Sequence, residues 1–232
     1  MSMATKHRSL LSYRAVVWDL DGTLYFQKKM RLIMAAELVK FYLLHPFRIK
    51  ELLAVRKFRK IRENWHETEV SEKTPGTEEG LAGQQYAYTA SLLKMSKEEV
   101  KDAVEEWIYR RPLEYIRRCR DDEAAGIFDL LKKHGISCFI FSDYPIADKL
   151  EALGLSADGY YEATDERLGV LKPDPKGLKL IMADHGYGAS DIIMIGDRDS
   201  RDGEAARRAG CDYLILSSSK KIRNEQYKAL LA

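Results

Sequence analysis

Short apolar runs alternate with amphipathic stretches over most of the chain, and this alternation carries the first reading of its fold. Val16-Val17-Trp18 is apolar and too short for a helix; it runs straight into Asp19-Leu20-Asp21-Gly22-Thr23-Leu24. Ser137 to Phe141, ending at Ser142, reads as a second buried strand. Tyr160-Tyr161 reads as a brief third, Asp191 to Ile195 as a fourth and Tyr213 to Leu216 as a fifth. Between them the spacing predicts helices over Glu123–His134, Pro145–Leu153, Lys176–His185, Gly203–Ala209 and Lys220–Leu230, with Gly135 and Gly154 as stop signals. Buried strands alternating with amphipathic helices specify an α/β fold, a doubly wound and mostly parallel sheet covered on both faces.

One stretch breaks the rhythm. Residues 27–112 carry helical periodicity and no strand pattern, so they read as an all-α insertion, with 1–26 and 113–232 forming the α/β core. Met30 to Leu44 is apolar around more than half of its helical circumference and is expected to bury a wide face. His45-Pro46 divides it from a second helix over Phe47–Glu63, because the residue before a proline is pushed out of helical geometry. Thr74–Gly83 reads as a loop, Tyr86–Lys94 as a helix, and Ser96-Lys97-Glu98-Glu99 as a capping box opening another helix that runs toward Tyr109. Pro112 marks the expected end of the insertion.

Composition narrows the class without naming it. Of 232 residues 32% are charged and 45% hydrophobic, the balance of a globular protein, and a net charge of +2 does not argue for nucleic acid. The charge is unevenly placed: Phe26 to Arg62 holds eleven Lys or Arg against Glu37 and Glu51. That run reads as solvated charge on packed helices, with an anion-attracting surface as the second reading. Cys119, Cys138 and Cys211 have no metal-type spacing and fit reduced thiols in a cytoplasmic protein. Met1 to Arg14 lacks the apolar core of a secretory signal, and no segment is long and apolar enough to span a membrane.

The candidate chemistry lies at the strand ends, where open sheets of this type bind ligands. On an extended backbone Asp19 and Asp21 leave the same face. Two bare carboxylates 4 Å apart repel by about 4 kcal/mol at an effective dielectric of ~20, so such a pair calls for a cation or a shared proton. Ser142, Lys172, Asp197 and Asp202 stand at or near the other strand ends. Each has a packing reading alone: Ser142 and Asp143 as caps, Lys172 on the surface, Asp202 as an N-cap, the Asp19 and Asp21 pair as a turn. Together they make an acidic pocket with one fixed cation, which would repel phosphate unless a divalent metal were bound, and carboxylate oxygens suit Mg²⁺. The parts then fit phosphoryl transfer: one carboxylate attacks phosphorus, another serves the leaving oxygen, and cations and amides hold the remaining oxygens.

With Asp19-Leu20-Asp21-Gly22-Thr23, Ser142, Lys172-Pro173 and Gly196-Asp197 with Asp202 in this order, the chain resembles the haloacid dehalogenase superfamily, phosphatase branch, of phosphoglycolate phosphatase-like type. The resemblance covers residues 14–25 and roughly 113–217. It implies a Rossmann-like core and a helical, C1-type cap over 27–112 that closes over substrate and sets specificity. It implies Asp19 as the nucleophile forming an aspartyl-phosphate and Asp21 as general acid and then base. Thr23, Ser142, Asp143 and Lys172 are expected at the phosphate. Asp19, the Asp21 carbonyl and Asp197 are expected at Mg²⁺, with Asp202 in or beside that shell. Asp143 departs from the small or amide residue common at its position. The expected substrate is a small phosphomonoester, with a phosphomutase or pyrophosphatase as the alternative within the superfamily. Outside it stands a module binding anionic membrane or nucleic acid with weak catalysis. No obligate nucleic acid is expected, peripheral membrane contact through the basic segment is a minor reading, and oligomeric state is left open.

Overall fold

The computed structural model describes residues 8–65 and 80–231. They form two compact units, one holding the chain up to Lys28 and from Cys119 onward, the other Lys29–Arg118. The second unit thus extends past Pro112 to take in most of a further short helix.

The first unit is built on five parallel strands: β1 (Ala15–Trp18), β2 (Ser137–Ser142), β3 (Gly159–Glu162), β4 (Ile192–Gly196) and β5 (Asp212–Ile215), in the order β3-β2-β1-β4-β5. Every residue of β1 and β4 is buried, as continuous apolar runs require in a sheet with both faces covered. The edge strands β3 and β5 are partly exposed, which accounts for their mixed composition. Register matters most for function. Trp18 pairs with Ile140 on one side and with Ile195 on the other, so the polar residues just beyond all three strands emerge along one edge.

The intervening helices fall close to their expected spans, and all helices are numbered here in chain order. In this unit they are α6 (Asp122–Lys133), α7 (Ala147–Leu153), α8 (Lys176–His185), α9 (Glu204–Ala209) and α10 (Lys220–Leu231). Asp121 caps α6, its carboxylate accepting from the Ala124 N–H. α9 is preceded by a π turn over Asp199–Gly203, which carries Asp202 back toward the end of β4. Cys119, Cys138 and Cys211 are buried, and none of them forms a disulfide.

The other unit is helical. α1 (Gln27–Leu44) breaks at His45 (ψ 61°), and a 3-10 turn over Pro46–Arg48 leads into α2 (Ile49–Glu63). α3 (Gly80–Leu93), α4 (Lys97–Val104, running into a π turn over Glu105–Arg110) and α5 (Leu113–Cys119) follow. The expected capping box is formed: Glu99 donates its N–H to Ser96 Oγ at 3.1 Å, and Ser96 N–H donates to Glu99 at 2.8 Å. Phe58 of α2 stacks on Tyr86 of α3 at 5.2 Å, inside a core that also holds Val100 and Val104.

Two expectations are corrected. Of the loop read over Thr74–Gly83, and of the N-terminal stretch Met1–Arg14, residues 74–79 and 1–7 lie outside the described residues. Gly80–Gly83 already belong to α3. Burial of Gly83, Gln85 and Tyr86 outweighs the roughly 1 kcal/mol helical cost of glycine. The second correction is larger. α1 does not bury a wide face: only Met30, Met34 and Tyr42 are buried, while Leu32, Val39, Leu43 and Leu44 are exposed. Its one packed stripe lies against Trp107, with ring distances of 5.1 Å from Phe41 and 5.7 Å from Tyr42.

Candidate active site

The site assembles in the first unit from the loops that leave β1, β2 and β4. Asp19 follows β1 directly, and its backbone N–H still donates to Ile195 O at 2.8 Å, so the sheet itself fixes its position. The chain then turns at Gly22, whose φ of +102° an L side chain rarely adopts. A Cβ there would also stand 2.2 Å from Asp197 Oδ2, so the glycine lets the β1 loop and the β4 loop touch. Gly196 does the same for Asp202, which a Cβ would meet at 2.3 Å.

Lys172 is the centre of the charge arrangement. Its buried ammonium donates to Asp19 Oδ1 at 2.5 Å, to Asp202 Oδ1 at 2.6 Å and to Phe141 O at 3.2 Å. The loop that carries it is gripped on both sides: Asp143 Oδ1 accepts the Lys172 N–H at 2.8 Å, and the buried Arg201 donates to its carbonyl. Burial works against the Lys172 charge, but Asp19, Asp202 and Asp143 outweigh it and raise its pKa. Burial, countered by Lys172 and reinforced by Asp202 and Asp197, pushes the Asp19 carboxyl up to about 8.

Thr23 and Asp202 serve as holders. Thr23 Oγ1 donates to Asp19 Oδ2 at 2.9 Å, so its one proton steadies the candidate nucleophile. Asp202 gives one oxygen to Lys172, and the other accepts from the Asp197 and Arg198 amides at 3.2 and 3.0 Å. Asp143 supports the Lys172 loop and lies 3.8 Å from Arg198. Ser142, buried at the end of β2, accepts from the Tyr144 N–H at 3.1 Å; its own proton has no acceptor among the described residues.

Three carboxylates, Asp19, Asp197 and Asp202, offer oxygens within 4.8 Å of one another. Burial and the neighbouring Asp202 raise the Asp197 pKa, and its carboxylate accepts no side-chain hydrogen bond among the described residues. A half-buried, uncompensated carboxylate beside two others is an oxygen donor set fit for a hard divalent cation. All three could share it, and Asp197 is the one whose oxygens accept no side-chain hydrogen bond among the described residues, since both oxygens of Asp19 and of Asp202 already accept one or more.

Three residues of this geometry, Lys149, Tyr25 and Arg223, were not singled out by the sequence pattern. Lys149, on α7 and buried, places its ammonium 2.7 and 2.8 Å from the two oxygens of Asp21. Tyr25 donates to the same carboxylate. Burial acts to raise Asp21, but the Lys149 charge and the bonds from Lys149 and Tyr25 outweigh it and hold the carboxyl below its usual range. Arg223, on α10, donates to Gly22 O at 2.8 Å, Thr23 O at 3.0 Å and Asp121 Oδ2 at 3.1 Å. It thereby pins the loop between the two aspartates and α1. One signal was in the sequence: Lys149 lies one helical turn into the helix after Ser142, on the strand-end side.

Comparison with known proteins bears on the family and the fold. The sequence model of the haloacid dehalogenase-like hydrolases matches residues 13–210. Among solved structures, a 2-haloacid dehalogenase from Pseudomonas syringae pv. Tomato aligns over 88% of this chain and 86% of its own, with TM-score 0.60 and 18% identity. A putative phosphoglycolate phosphatase from Lactobacillus delbrueckii aligns over 94% and 92%, with TM-score 0.51 and 16% identity. An L-2-haloacid dehalogenase from Xanthobacter autotrophicus aligns over 88% and 77%, at 0.57 and 18%. At these identities the likeness is one of fold. No curated protein sequence matches the chain.

Proposed function

The chain belongs to the haloacid dehalogenase-like hydrolases, and on that premise we propose that it is a Mg²⁺-dependent phosphatase acting on a small phosphomonoester through an aspartyl-phosphate on Asp19. The observation that carries this reading is the second carboxylate, Asp21, held in a fixed orientation by Lys149 and Tyr25 two residues after Asp19. Displacement of a halide needs no proton donor, whereas the leaving oxygen of a phosphate ester does.

The residues divide the work as follows. An Asp19 carboxylate oxygen forms a bond to phosphorus as the bond from phosphorus to the leaving oxygen breaks, and the protonated form of Asp21, the minor one while Lys149 is paired with it, gives its proton to the leaving oxygen. Asp21, now a carboxylate, takes a proton from water as the water oxygen bonds to phosphorus and the Asp19 ester bond breaks. The ion pair with Lys149 favours this base form. Lys172 and the Ser142 hydroxyl face the charge on the phosphoryl oxygens, and Thr23 keeps Asp19 aligned. Asp19, Asp197 and the Asp21 carbonyl would hold Mg²⁺, which when bound neutralises negative charge shared between protein and phosphate.

The test is hydrolysis of an aryl phosphate with and without Mg²⁺, run beside chloride release from 2-chloropropionate. Phosphate release that needs Mg²⁺ and falls by about 10³-fold or more in Asp19→Asn supports the reading. Chloride release with no phosphate release overturns it.

A further inference from the structure

α1 carries two apolar stripes on opposite sides. Met30, Met34 and Phe41 form the packed one, while Leu32, Ala36, Val39 and Leu43, spaced i, i+4, i+7 and i+11, lie about 180° away at 100° per residue. The outer stripe is open: Leu32 is 74% exposed, Val39 62% and Leu43 77%, and the bend that follows presents Leu44 at 70% and Phe47 at 95%. Beyond the bend, the outer row of α2 repeats the spacing with Ile49, Leu53, Arg56 and Lys60, all exposed. A globular protein rarely leaves so many large apolar side chains together in water without a partner for them.

The charge around the stripe names the partner. Arg31 and Lys40 flank it on either side of α1, and Lys50, Arg56, Arg59 and Lys60 are exposed on α2. The acids of these two helices are few: Glu37 and Glu51 are half-buried, Glu51 pairs with Arg48, and the exposed Glu63 is the last residue of α2, the end remote from the bend. A second copy of this face would bring like charges together. We infer that the outer face of α1, with the Leu44 to Phe47 bend, docks on an anionic lipid bilayer, its apolar stripe entering the interface while the flanking lysines and arginines meet the headgroups. An apolar stripe with basic flanks is a pattern that an interfacial helix shares. No helix among the described residues is long and apolar enough to cross the membrane, so the contact is peripheral. Long basic side chains also suit it, since their stems lie along apolar surface while their heads reach charge.

The experiment is cosedimentation of the full chain with vesicles of phosphatidylcholine alone and of phosphatidylcholine mixed with phosphatidylglycerol. The expected result is pelleting with the anionic vesicles only, weakened by salt. The double variant Leu43→Glu/Phe47→Glu should abolish it, and Lys40→Gln should weaken it about fivefold. Both variants should melt like the wild type, because the substituted side chains are exposed. The readout does not depend on catalysis, so it stands or falls apart from the proposed phosphatase activity. Failure to pellet with either vesicle, or equal pelleting with both, overturns the inference. So does a dimer that Leu43→Glu converts to monomer without vesicle binding. Heparin binding that survives Leu43→Glu, with no vesicle binding, would overturn it in favour of a soluble polyanion.

Discussion

Lys149 Nζ lies 2.7 and 2.8 Å from the two carboxylate oxygens of Asp21, and both side chains are shielded from solvent. A cation bound to both oxygens fixes the rotamer of the carboxylate and its charge together. Its loss should therefore change when Asp21 titrates, in addition to how fast the enzyme turns over.

In the wild type the Asp21 carboxyl sits below its ordinary value of 3.8. Removing Lys149 leaves burial as the main influence, and burial raises it. In Lys149→Met the basic limb of kcat/KM for an alkyl phosphate, which reports loss of the Asp21 proton, should move to higher pH. Lys149→Arg should move it back most of the way. A pH-rate series on the three proteins checks this, and an unmoved limb in Lys149→Met would show that the pair is structural only.

Asp21→Asn should lower turnover by roughly 10²- to 10⁴-fold for alkyl phosphates and by much less for aryl phosphates whose leaving oxygen needs no proton. The comparison is a plot of log kcat/KM against leaving-group pKa, which should steepen in the variant. Equal losses along the series would remove Asp21 from the role of acid.

The Asp19 carboxyl, raised from 3.8 to about 8 without metal, has a direct stability consequence. Between those values the folded state keeps a proton that the unfolded chain has released, so its contribution is fully present below pH ~4 and is lost as pH rises through ~8. Mg²⁺ supplies the charge the proton had supplied. Melting temperatures in EDTA should fall as pH rises over this window, and the gain on adding Mg²⁺ should be larger at pH 8 than at pH 5. A gain that does not depend on pH would place the ion elsewhere.

Arg223→Ala removes the buried partner of Asp121 and the donors that hold the Gly22 and Thr23 carbonyls. Breaking a buried pair by deleting one member costs about 3–5 kcal/mol. The measurement is chemical denaturation together with kinetics. Arg223→Lys keeps the charge but not the fork that reaches several acceptors, so it should recover part of the stability and less of kcat.

Much of this protein was written locally. Five short apolar runs in a fixed order are enough for a parallel sheet whose first, second and fourth strands bring Asp19, Ser142 and Asp197 to one edge, while Lys172 arrives from the loop after β3. The strand and helix spans depend on near neighbours and were legible for the same reason. What the sequence alone left open depends on contacts between distant residues. Arg223 reaches a loop 201 positions away, and Lys149 one 128 positions away, and no spacing rule connects them. Thr23 read as a phosphate contact and Asp202 as lying in or beside the metal shell; only packing could add that Thr23 donates to Asp19 and that Asp202 accepts from Lys172 and two backbone amides. α1 is the clearest case. Its sequence read as a helix apolar around more than half of its circumference, and that width does not say which side the rest of the protein covers. The rings of Trp107, Phe41 and Tyr42 decided that, leaving Leu32, Val39 and Leu43 facing outward.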